Sequence, residues 1–70
     1  MEKKARILLA RRIKKLREKK GYTQEKLADL TGIDYKYIQK IEGKNPPDIR
    51  VDTIEKIARA LKTTCSNLFG

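Results

Sequence analysis

An all-α fold is predicted by three observations. Apolar residues recur at three- and four-residue spacing along most of the 70-residue chain, no stretch alternates β-branched with polar residues, and Gly21, Gly32 and Gly43 each fall where a helical stripe ends. At this length only one core can form, so residues 1–70 read as a single domain. The longest apolar run, Ile7 to Ala10, has four residues, against the roughly 20 needed to span a bilayer. The charged N-terminus leads into no signal-type apolar stretch. A membrane role is therefore not expected, and a cytoplasmic location is.

The first helix is expected over about Lys3 to Lys20, with Leu9, Ile13 and Leu16 on its inner stripe and Gly21 as its left-handed stop. Thr23 then offers an N-cap oxygen to a second helix reaching Thr31, with Leu27, Ala28 and Thr31 inward and Gly32 ending it. Asp34 caps a third helix to about Glu42, whose inner face is Ile38 and Ile41, with Ile33 pinning the turn and Gly43 closing it. Residues 43–49 (GKNPPDI) form a loop, because consecutive prolines forbid helix at Asn45 and Pro46. A fourth helix carries Ile54, Ile57, Ala58 and Leu61. Its start is either Arg50, with Val51 already helical, or Asp52, which forms a capping-box pattern with Glu55. Thr64 can cap a last short turn holding Cys65, Leu68 and Phe69.

The centre of the chain, Gln24 to Glu42 (QEKLADLTGIDYKYIQKIE), is two short helices joined by a tight turn. Such a corner needs a small residue where the helices cross, a residue of positive φ at the bend and apolar side chains filling the angle. Ala28, Gly32, and Ile33 with Ile38 and Ile41 occupy those positions. The pattern is that of a helix-turn-helix over residues 24–42.

Charge and composition narrow the chemistry. The net charge is +9, and residues 1–20 hold ten Lys/Arg against two Glu, which makes polyanions natural partners. The chain has no histidine and one cysteine, Cys65. It thus lacks the usual general base and cannot form an internal disulfide or a metal cluster, and its carboxylates show no paired inward spacing. No enzyme, cofactor or metal is expected, and Cys65 reads as a small buried hydrophobe.

The segments RIKKLREKKGYTQEKLADLTGI, YIQKIEGK, TIEKIARAL and CSNLF stand in the order and near the spacing of the lambda-repressor-like helix-turn-helix domain of Xre and Cro type regulators. The chain resembles that family over nearly its whole length. The resemblance implies a compact bundle of five short helices that binds double-stranded DNA, with Asp34 to Glu42 as the recognition helix in the major groove. Tyr35, Lys36 and Lys40, and then Gln39, are its expected base contacts. It implies phosphate contacts at Gln24, at the start of the second helix, and at Lys44 and Asn45 after the third; Tyr37, Arg11 and Arg12 are further phosphate candidates. It also implies a partly buried structural ion pair between Arg17 and Glu42. The family's usual residue between the Glu of IE and the Gly of GK is missing here, and PPDIR is longer by about as much.

The expected function is a sequence-specific transcriptional regulator, a dimeric repressor or autoregulator reading a palindromic operator while associated with the nucleoid. Lys62 to Thr64, Asn67, Leu68 and Phe69 are the residues nearest the family's usual dimer surface, although Leu68 and Phe69 equally suit a core role. An antitoxin or adaptor that mainly binds a partner protein is the alternative.

Overall fold

The computed structural model describes residues 2–69, so the two ends of the predicted unit, residues 1 and 70, lie outside the described residues. Among the described residues there are five helices in chain order: α1 (Lys3–Lys19), α2 (Gln24–Thr31), α3 (Tyr35–Ile41), α4 (Val51–Ala60) and α5 (Cys65–Phe69). There is no strand among the described residues.

α1 buries Leu9, Ala10, Ile13 and Arg17. The inner stripe is therefore turned toward Ala10 and Arg17, and Leu16 lies at its margin, half-buried. The helix closes as expected at Gly21, whose φ is +74°. There the Gly21 N–H donates to Glu18 O (2.9 Å) and the Tyr22 N–H to Arg17 O (3.0 Å), satisfying two carbonyls the helix end would orphan.

α2 and α3 carry the caps read from the sequence. Thr23 Oγ1 accepts from the Lys26 N–H at 3.0 Å, and Asp34 Oδ1 accepts from the Lys36 N–H at 3.2 Å. Gly32 takes the corner at φ +74°. Thr31 works on the same bend, since its hydroxyl donates to Leu27 O (2.8 Å) and accepts from the Ile33 N–H (3.2 Å). Gly43 closes α3 in a different way from Gly21 and Gly32. α3 ends on Glu42, and Gly43 stays outside the positive-φ region, donating to Lys40 O at 3.1 Å. A Cβ on Gly43 would lie 3.3 Å from the Gln39 carbonyl oxygen, so the absent side chain permits close approach to the end of α3.

The loop after α3 contributes to the core, which periodicity could not show. Pro46 is buried, and Ile49 is only 4% exposed, joining Leu9, Ile13, Leu27, Ile38, Ile41, Ile54, Ile57, Leu61 and Leu68. α4 begins at Val51 with Arg50 as an N-cap that makes no side-chain cap bond. The Asp52 capping box does not form: its Oδ1 accepts from the Thr53 N–H at 3.0 Å, and its charge sits within the first turn, where the helix dipole favours it. The α4 end repeats the closure of α1, but Lys62 occupies the left-handed position (φ +55°), with Thr63 N–H bonded to Ala58 O at 2.9 Å. Thr64 Oγ1 caps α5 by accepting from the Asn67 N–H at 3.2 Å. Leu68 is fully buried, whereas Phe69, the last residue of a five-residue helix, is 48% exposed and does not serve the core. Cys65 is half-buried against the core's edge. α2 packs on α3 and α4, and α5 bridges α1 and α4, which leaves the outer side of α3 uncovered.

Candidate nucleic-acid interface

The face of α3 opposite Ile38 and Ile41 consists of Tyr35, Lys36, Gln39 and Lys40, all exposed. Positions i and i+4 neighbour one another on a helix, so these four residues form two rows: Tyr35 with Gln39, and Lys36 with Lys40. The first row is linked, because Gln39 Nε2 donates to the Tyr35 hydroxyl at 3.2 Å. Tyr37 points elsewhere; it is half-buried and packed against the core.

Behind this face lies a polar network joining three helices. Arg17 of α1 meets Glu42 in a two-pronged ion pair, Nε to Oε2 at 2.8 Å and Nη2 to Oε1 at 2.9 Å. The two side chains are only 9% and 2% exposed. Arg17 Nη1 also donates to the Tyr22 carbonyl at 2.6 Å, and Gln24 Nε2 donates to Glu42 Oε1 at 3.1 Å. A buried carboxylate is stable only when its lone pairs are filled, and here three donors fill them. The hydrogen bond that Arg17 donates to the Glu42 carboxylate holds the Arg17 pKa above its ordinary value, outweighing the opposing effect of burial.

Gln24 is therefore not a free side chain at the start of α2. One of its N–H groups is held by Glu42, which leaves the second N–H and the carbonyl oxygen for another partner. No local pattern signals this bond, since the two residues lie 18 positions apart. Lys44 and Asn45 are exposed beyond α3. Lys44 shares a groove with Glu42, Gly43, Ile7, Ala10, Arg11 and Lys14, so Arg11 stands beside the end of α3. Arg12 does not: it lines a separate groove with Lys15, Leu16, Lys19, Thr63 and Asn67 between α1 and α5. Consecutive helical residues point about 100° apart, and that separation divides the two arginines.

No group of three or more potential metal-ligating His, Cys, Asp or Glu side chains occurs among the described residues. Nor is any of their helices long and apolar enough to cross a membrane.

Residues 13–68 match the helix-turn-helix family, spanning α3 and every element it packs against. The chain belongs to that family. No curated protein matches its sequence. Among solved structures, this helix-turn-helix protein is similar to a hypothetical transcription factor, NHTF, from Neisseria, with 35% identity and a TM-score of 0.87 over 93% of this chain and 72% of the other. It is similar to the restriction-modification controller protein C.AhdI from Aeromonas hydrophila, with 33% identity and a TM-score of 0.85 over 91% of this chain and 96% of that one. A tyrosine-to-phenylalanine mutant of the restriction-modification controller protein C.Esp1396I shares 32% identity and a TM-score of 0.86, covering 99% and 86% of the respective chains. The lambda-repressor-like helix-turn-helix fold is thus shown, and with it the class: a DNA-binding transcriptional regulator and not an enzyme.

Proposed function

We propose that this regulator is a homodimeric repressor or autoregulator that reads a palindromic operator, and that the whole chain works as one DNA-binding unit. The observation that carries the reading is the uncovered face of α3, four exposed residues able to donate or accept hydrogen bonds above two fully buried isoleucines. A seven-residue helix is about 10 Å long, enough to meet roughly three base pairs in a groove about 12 Å wide. So short a reading calls for two copies on half-sites about one turn apart. In this proposal Tyr35, Lys36, Gln39 and Lys40 contact bases, while Gln24, Lys44, Asn45, Tyr37 and Arg11 hold phosphates. Arg12 contributes mainly long-range attraction, because it lies in the α1–α5 groove. The two similar controller proteins support a role in controlling expression.

Selection of binding sites from random double-stranded DNA at near-physiological salt tests the proposal. The expected product is a palindrome bound at least ~10³-fold more tightly than scrambled DNA. Salt-sensitive binding without an enriched sequence would refute operator recognition, leaving only the attraction of a basic surface.

A further inference from the structure

The linked row on α3 has chemistry of its own. Gln39 Nε2 donates to the Tyr35 hydroxyl at 3.2 Å, whereas the neighbouring row is two lysines. Resting on the reading of α3 as the base-contacting helix, we infer that Tyr35 and Gln39 act as one unit that reads an adenine in the major groove, with Gln39 as its reader and the Tyr35 hydroxyl, apart from any base contact of the ring, as the group that positions Gln39.

A glutamine carboxamide offers two N–H donors and one carbonyl acceptor. With one N–H engaged by Tyr35, the outward edge retains one donor beside one acceptor. Adenine shows the reverse pair in the major groove, an acceptor at N7 and a donor at N6. Guanine shows two acceptors there, one of which would face the Gln39 carbonyl oxygen unpaired. Cytosine offers a donor, and thymine an acceptor and a methyl, so neither uses both groups of the amide. The tyrosine matters because a free glutamine loses rotamer freedom when it docks, and Tyr35, which has fewer rotatable bonds, fixes part of that geometry beforehand through its hydroxyl. Lys36 and Lys40 are donors only and match the paired acceptors of guanine. The two rows therefore select different bases.

The test uses the full chain and the operator obtained by random-site selection, with each base pair of that site replaced in turn by the other three. Gln39→Ala is expected to lose discrimination at one A·T pair by about 10-fold and to leave the other positions unchanged. Gln39→Glu, which presents acceptors only, is expected to shift the preference at that pair toward the cytosine N4 donor. Tyr35→Phe keeps the ring and removes the hydroxyl; discrimination at the same pair should fall about threefold, and adding it to Gln39→Ala should cause no further loss. Circular dichroism of each variant separates these effects from unfolding. Unchanged base preferences in Gln39→Ala, or relaxation at a G·C pair, would overturn the inference. Intact discrimination in Tyr35→Phe would overturn the positioning role. Failure to enrich any site appears before a variant is made and overturns operator reading itself, the inference with it.

Discussion

Glu42 and Lys62 are single residues whose surroundings set measurable energies in opposite directions. The Glu42 side chain is 2% exposed and bonded to Arg17 and Gln24, so Glu42→Ala leaves a buried guanidinium without its counter-charge and is expected to lower stability by about 3 kcal/mol in urea denaturation. A loss below about 1 kcal/mol would place the pair among ion pairs that contribute little. Because Arg17 has a raised pKa when folded, its contribution is present below the unfolded value and is lost only as pH rises through the folded one. That window lies in strong alkali, so titration across neutral pH leaves the Arg17 contribution intact. Lys62 is held at φ +55°, where a Cβ is unfavourable. Lys62→Gly should raise stability by about 1 kcal/mol, read as a higher urea midpoint with an unchanged slope. An unchanged or lower midpoint would show that the backbone there is not strained.

At the scale of elements, the α2–turn–α3 unit was the most legible part of the chain. Thr23, Asp34 and Gly32 announce the two caps and the corner, and each does its work through bonds to residues within four positions. Gly32 has open space around its missing Cβ, so Gly32→Ala is penalised by backbone conformation alone and should cost about 1 kcal/mol. Equal stability of Gly32→Ala and wild type in thermal melts would contradict the left-handed corner. Gly43 looked like the same signal and is not one: the space beside the Gln39 carbonyl, not a positive φ, accounts for glycine there. Glycine marks both situations identically in a sequence. Of the two starts the sequence left open for α4, the one with Arg50 before an already helical Val51 is formed, two residues ahead of an Asp52 cap.

For the molecule as a whole, charge and shape combine. The chain carries +9, concentrated in α1, while base-contacting chemistry sits on α3. Binding should therefore weaken steeply with salt, and Lys44→Ala should reduce the slope of log K against log salt by about 1 on every DNA sequence alike. Lys36→Ala should behave differently, losing about 1 to 3 kcal/mol on the selected operator and relaxing one position. Titrations of both variants on operator and scrambled DNA distinguish the roles; an equal loss for Lys36→Ala on both would make it a phosphate contact.

The sequence by itself determined the helical class, the corner at Gly32, the caps at Thr23, Asp34 and Thr64, and the inner pair Ile38 and Ile41 that turns Tyr35, Lys36 and Lys40 outward. All of these follow from residues within about one helical turn of one another, where spacing and backbone preference act directly. Only the tertiary structure decided that Ile49 completes the core, that Gln24 is held by Glu42, and that Arg11 and Arg12 serve different grooves. Those relations join positions distant in the chain, and they exist only after burial has brought the helices to fixed neighbours. No local periodicity encodes which side chain waits on the other side of the contact.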